Sequence, residues 1–234
     1  RIDVIYGPFS AAYPGNAMGA VVAMTTRMPD KFEAHARAQA FSQEFKLYGT
    51  DQRYAGRQAS AALGNRIDDL SWWFNYNHLE NHGQPMSYLN KPLSSAAPAA
   101  GATVVTGAHF DNDPSGKPRV VLGATSITET VQDHAKLRLA YDFTPAVRAT
   151  YTLGLWENRA DTRVQSYLRN AAGNAVYRCN VNIDGRGYNL GATNFNPSKA
   201  DQQHWMHGLA VKTNSRGEWD WEIGASLYDY ARDL

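Results

Sequence analysis

Four side chains in two long stretches rich in Gly, Pro, Asn and Ala carry the chemistry of a ligand site: Tyr88, Arg119, Tyr167 and Arg178. A guanidinium holds an anionic chelate in a planar fork, and an aromatic ring stacks on a catecholate or a sugar. Catalytic constellations are missing from the sequence. It has no Gly-x-Ser-x-Gly, no His-Glu-x-x-His and no Walker-type Gly-Lys-Ser/Thr run, so no catalytic residue is assigned and no enzyme is expected. Gly185-Arg186-Gly187 lies in a long loop and does not join a strand to a helix, which argues against a nucleotide cradle. His204 and His207 are three apart and point to opposite faces of a strand. His78 and His82 share a face but stand too far apart in extended chain to grip one ion. Cys179 is the sole cysteine, so the chain can form neither an internal disulfide nor a Cys-based zinc site. No metal and no cofactor is expected.

These side chains need a scaffold, and the pattern of the chain describes one. The 234 residues carry Lys+Arg 23 against Asp+Glu 22, a formal net charge of +1. That balance provides no field to attract nucleic acid. Mean hydropathy is -0.50 and no apolar run is long enough for a helical membrane span. A membrane β-barrel is not excluded, because its strands alternate and hide from hydropathy averages.

From Glu33 onward the apolar residues recur with period two. Ala135, Leu137, Leu139, Tyr141 and Phe143 alternate with His134, Lys136, Arg138 and Asp142. Ala149, Tyr151, Leu153 and Leu155 alternate with Arg148, Thr150 and Thr152. Leu70, Trp72, Phe74 and Tyr76 oppose Ser71, Asn75 and Asn77, and Trp219, Trp221, Ile223, Ala225 and Leu227 oppose Asp220, Glu222 and Ser226. Trp205, His207, Leu209 and Val211 make a weaker face. Residues 33–47 and 53–64 are Ala-rich, with charges such as Arg37 and Arg57 on alternate positions. The pattern predicts about seven strands near the ten residues of a tilted membrane strand. Short turns at 64–69, 144–146 and 214–218 alternate with long connections at about 81–127 and 160–200. The turn near Tyr48–Gln52 departs from the rule, being short where a long one is due. Trp72, Trp73, Trp219 and Trp221 follow short turns, and Tyr141 and Phe143 precede one, so one rim is expected to carry an aromatic girdle. Ser94–Ala102 reads as flexible loop. The fold class expected is all-β, a partial transmembrane antiparallel barrel. The competing reading is a soluble sandwich whose outward aromatics pack on a second sheet.

Arg1 to Val22 (RIDVIYGPFSAAYPGNAMGAVV) resembles the end of the plug domain of TonB-dependent outer-membrane receptors. Arg1, Asp3, Gly7, Pro8, Ser10, Tyr13, Gly15 and Gly19 stand at the positions of that pattern. Pro14 departs from it where Gly is usual, Ala20 where a second Gly is usual, and Asp3 replaces the commoner Glu. The resemblance implies two parts: residues 1–30 as the C-terminal part of the plug, and 31–234 as the N-terminal part of the transmembrane barrel. A barrel of 22 strands needs roughly 600–650 residues, so the chain is expected to be an internal piece covering the first third of the strands.

The resemblance further implies active uptake of a scarce nutrient across the bacterial outer membrane. A ferric siderophore or similar chelate is the first ligand expected; cobalamin, other metals and glycans are also carried in the family. A TonB-type energy-transducing inner-membrane protein is the implied partner, touching a segment upstream of Arg1, and outer-membrane lipid surrounds the sheet. The polar strand faces then line a lumen, where Arg37, Arg57, Lys136, Arg138 and Glu222 are expected to meet the plug. Arg37, Arg57 and Lys136 are the expected partners of Asp3. A different class of function, a soluble or surface β-sheet binding domain such as an adhesin or carbohydrate-binding module, predicts instead a chain that folds in water without detergent.

Overall fold

The computed structural model describes residues 2–6, 20–24, 27–215 and 217–234. Among the plug-motif residues only Asp3 is described; Arg1, Gly7, Pro8, Ser10, Tyr13, Gly15 and Gly19 lie outside the described residues. The chain is all-β, with no helix among the described residues. Strands β1 (Ile2–Tyr6) and β2 (Ala20–Met24) pair antiparallel as a two-stranded sheet of their own. The chain continues through β3 (Glu33–Leu47), β4 (Thr50–Ile67), β5 (Leu70–His82), β6 (Ser87–Pro92), β7 (Thr103–Val104), β8 (His109–Asn112) and β9 (Pro118–Thr144). It ends in β10 (Val147–Ser166), β11 (Cys179–Ile183), β12 (Arg186–Leu190), β13 (Ser198–Thr213) and β14 (Glu222–Asp233).

Seven of these strands form one antiparallel path, β14-β13-β10-β9-β5-β4-β3. It is the meander that the alternating pattern predicts. β3 and β14 are its two outer strands and do not pair with each other, so the sheet is open. The strands run from 12 residues in β14 to 27 in β9, longer than the ten residues expected. The surplus lies at the long-loop end. There β9 continues past the end of β5 and carries β6 and β8 as extra pairing partners.

Register divides the sheet into two faces. One apolar row runs Trp72, Leu139, Tyr151, Leu209, Ala225, each directly opposite the next. The row beside it runs Ala34, Leu63, Phe74, Leu137, Leu153, His207, Leu227. These rows lie toward the short turns, and much of their apolar surface is open: Leu227 is 63% exposed, Leu209 49% and Leu63 41%. A face of this kind needs a cover other than water. Toward the long loops the same face turns ionic. There the Arg57 guanidinium donates to Glu80 Oε2 at 2.8 Å and Oε1 at 2.9 Å, and His78 Nδ1 lies 2.8 Å from Asp133 Oδ1. This placement corrects the pairing expected for Arg57. Arg57 stands opposite Ala40, on the apolar face, whereas Arg37 stands opposite Ser60 on the polar one. The girdle needs the same correction at Trp73. It lies on the polar face opposite Gly64 and Arg138, while Trp72 lies on the apolar face opposite Leu139.

The main hydrophobic core lies at the loop end, where the extension of β9 meets the long connections, rather than between the seven paired strands. Leu122, Leu168, Val120 and Val181 are fully buried with Ile183, Leu190 and Phe195 in a cluster built from both long connections. These connections therefore form one packed assembly at the loop end. The segment Ser94–Ala102, expected to be flexible, is irregular but held. The Ser94 N–H donates to the Tyr188 hydroxyl at 3.1 Å, the Arg186 guanidinium donates to the Ser94 carbonyl at 2.6 Å, and the Gly187 N–H donates to the Ala96 carbonyl at 2.9 Å. Turn residues had hidden this packing, because its backbone partners are far away in sequence.

Candidate functional site

Where the loop assembly meets the sheet, it closes on the tip of the β3–β4 hairpin. The tip is the two-residue turn Tyr48-Gly49, with Tyr48 at φ 52°. The Tyr48 hydroxyl donates to Asp111 Oδ2 at 2.6 Å, and Arg119 Nη2 donates to the same oxygen at 3.0 Å. The Tyr48 ring meets Tyr88 edge-on at 5.0 Å and lies 5.9 Å from His109, which in turn meets Tyr167 edge-on at 5.6 Å. The hydroxyls of Tyr167 and the buried Thr50 are 2.7 Å apart. Gly49 is required here: a Cβ at this position would come within 2.6 Å of the Tyr167 ring.

Three of the four loop residues singled out by chemistry, Tyr88, Arg119 and Tyr167, are therefore brought into one cluster. Arg178 is not; it is exposed beside Cys179 at the start of β11. The electrostatics of the cluster are those of a closed latch. Hydrogen bonds from Tyr48, Arg119 and the Asn112 N–H hold the Asp111 carboxyl down at about 2. The bond to Asp111 raises Tyr48, with burial adding to the shift and Arg119 opposing it. Burial, with the neighbouring phenols, pushes Tyr88 up to about 12. Tyr88 Oη and Arg119 Nε are buried and have no hydrogen-bond partner. Because Arg119 already neutralises Asp111, the cluster offers no uncompensated cation to an anionic chelate.

The second group of candidates lies on the polar face toward the short turns. Asp142 accepts from Arg66 Nη2 at 2.9 Å and from Arg148 Nε at 2.5 Å and Nη2 at 2.8 Å. These three and Lys212 line a hollow of about 650 Å³ at that rim. Arg138 and Glu222 line a neighbouring hollow of about 410 Å³, floored by Gly208 and Gly224. Arg37 donates to Gln39 Oε1 at 2.8 Å, and Lys136 stands between Asn75 and Gly154 on the same face. Arg37, Lys136, Arg138 and Glu222 thus share one face, without Arg57. No protein-family model matches this chain, and neither a curated protein nor a solved structure does.

Sequence reasoning missed Tyr48, Asp111, His109 and Asp142. The anomalous short turn was the signal for Tyr48: a hairpin too short to cover its own rim leaves room for its neighbours to close over it. Asp142 sits two residues before a short turn and six before Arg148, a spacing that a tight hairpin brings face to face. Asp111 carried no local signal, since its partners are 8 and 63 residues away.

Proposed function

We propose that the chain works in the bacterial outer membrane, in a plugged β-barrel of the TonB-dependent receptor kind that takes up a scarce nutrient. The register carries this reading. A largely apolar band, interrupted at His207, crosses one face of seven strands and lies back to back with a polar, hydrogen-bonded face. A lipid-facing exterior and a solute-facing lumen require that combination, and a water-exposed sheet does not tolerate it. The resemblance of residues 1–22 to the end of a plug supports the energised, closed form of such a barrel over a passive pore. In this reading the loop assembly forms the outer mouth. The hollows around Asp142 and Glu222 take the plug's charged side chains, and a TonB-type inner-membrane protein supplies the energy. Ligand binding at the mouth shifts the plug between two states, because an open lumen would leak.

The test is uptake. Cells with the gene deleted, grown in iron-poor medium, are given labelled ferric chelates and neutral oligosaccharides, with and without a protonophore. The reading predicts loss of energy-dependent uptake of one solute and its restoration by the gene. Unchanged uptake of every solute contradicts it.

A further inference from the structure

Charge is distributed unevenly along the polar face, with the change near His134. On the short-turn side stand Arg37, Arg66, Lys136, Arg138, Arg148 and Lys212 against Glu33, Asp142 and Glu222. On the loop side the seven-strand path presents amides, hydroxyls and aromatic rings, with Asp233 as its one ionised group among the described residues; the paired Asp111 and Arg119 lie beyond it on β8 and β9. The amides are joined in two cross-strand ladders. Gln39 donates to Gln58 at 2.9 Å and Gln58 to Asn77 at 2.6 Å. Gln132 donates to Asn158 at 3.0 Å, Asn158 to Gln202 at 2.9 Å, and Gln202 to Asp233 at 2.8 Å. These ladders fix the wall's rotamers in advance.

Above the first ladder a hollow of about 360 Å³ opens toward the loops. Phe41 and Tyr54 supply its rings, Gln43, Asn81 and Gln84 its amides, and Thr130 a hydroxyl. Phe41 is 42% exposed, and its ring lies over Gly56, where a Cβ would come within 2.3 Å of it. Gln84 Oε1 is buried without a hydrogen-bond partner. The nearby arginines of β4 are committed elsewhere: Arg53 is paired with Glu44 and Arg57 with Glu80, both on the opposite face.

His82 also lines the hollow, with Nδ1 3.4 Å from Glu129 Oε1, so an anionic ligand desolvated here would meet no unpaired cation among the described residues. A neutral ligand bearing many hydroxyls fits, because each hydroxyl both donates and accepts, as the amides do. The weakly positive C–H surface of a pyranose stacks on the negative face of an aromatic ring. We propose that this hollow is a saccharide subsite in the mouth of the transport path. The proposal rests on the uptake reading and narrows its solute to a neutral glycan.

The protein is purified from its native membranes in detergent and titrated calorimetrically with maltotriose, cellotriose and chitotriose, and with ferric citrate as the anionic chelate. The expected result is binding of at least one trisaccharide that varies little with salt. It should weaken tenfold or more in Tyr54→Ala and in Gln43→Ala, and be largely retained in Tyr54→Phe, which keeps the ring. The inference is overturned if no trisaccharide binds, if binding is indifferent to both alanine variants, or if ferric citrate alone binds. Tryptophan quenching by brominated phospholipid, run on the same protein in vesicles, separates the two claims. Quenching without sugar binding removes the saccharide subsite and leaves the uptake reading. Absence of quenching removes the membrane reading on which both depend.

Discussion

The Tyr48 hydroxyl donates to Asp111 at 2.6 Å across 63 residues of sequence, tying the shortest turn of the loop end to the assembly above it. Arg119 closes the arrangement on the same carboxylate oxygen. Tyr48→Phe removes one donor and leaves Asp111 with Arg119, whereas Asp111→Asn loosens both. The expected order of thermal stability is wild type, then Tyr48→Phe, then Asp111→Asn. A double-mutant cycle between the two positions should show coupling. Additive losses in that cycle would mean that the pair is not a unit.

Alkaline titration follows from Tyr88. Its folded pKa is raised from 10.0 to about 12 by burial, so the unfolded chain ionises first. Stability from this group is complete below pH 10 and is lost as pH rises toward 12. Phenolate absorbance should show one late-titrating tyrosine that disappears in Tyr88→Phe. Asp111 runs the other way. With its folded pKa held to about 2 against an ordinary 3.8, its contribution is present above that ordinary value and fades in stronger acid. Asp111→Asn should flatten the acid limb of a stability-versus-pH curve.

Gly49 and Gly56 are tight approaches, not turns of convenience. Gly49→Val would drive side-chain atoms into the Tyr167 ring, and Gly56→Val into Phe41 and the Glu80 carbonyl. Each is expected to cost about 1–3 kcal/mol by overpacking. Gly101→Ala, where nothing lies within 4 Å but φ is +75°, tests backbone conformation alone and should cost less. Comparison of the three melting curves separates crowding from strain.

The loop assembly is expected to behave as a folded unit with its own core. Leu122→Ala and Leu168→Ala each empty a fully buried position and should destabilise by about 2–5 kcal/mol. Limited proteolysis should then cut within residues 93–117 and 170–197 of the variants before it cuts the long strands. Equal protease resistance of wild type and variants would mean that the cluster does not hold the assembly together.

How much of this was legible in the sequence depends on the range of the cause. The meander was readable because Leu137, Leu139 and Tyr141 alternate with Lys136, Arg138 and Asp142, and a pleated strand turns that alternation into two faces. The short turns were readable from Thr144-Pro145-Ala146 and its equivalents. The face of Arg57 was misjudged because an Ala-rich strand gives no apolar contrast; Ala59 and Ala62 look alike in sequence yet lie on opposite faces. The loop core was unreadable because its members sit in short apolar runs, such as Val104-Val105, Val120-Val121-Leu122 and Tyr167-Leu168, set far apart among turn residues. Tyr88, Arg119 and Tyr167 were picked for their chemistry and do meet, but in a neutralised latch. The hollow at Phe41 and Tyr54 was not anticipated, since it needs register across four strands.

The central claim is that one face of the sheet lies against lipid and the other lines a watery path. Cysteines placed singly from Asp133 to Tyr141 and from Ala149 to Glu157, with Cys179 replaced by Ser, can be spin-labelled in native membranes. Their relaxation is then measured with oxygen, which concentrates in lipid, and with a water-soluble nickel chelate. The account predicts period-two alternation: Leu137, Leu139, Tyr151 and Leu153 relaxed by oxygen, Lys136, Arg138 and Thr152 by nickel, with Asp133 and Glu157 reached by nickel despite lying on the apolar face. Nickel access at Leu137, Leu139, Tyr151 and Leu153, or oxygen access at none of them, would contradict the membrane placement and leave a soluble β-sheet binding domain as the reading to pursue.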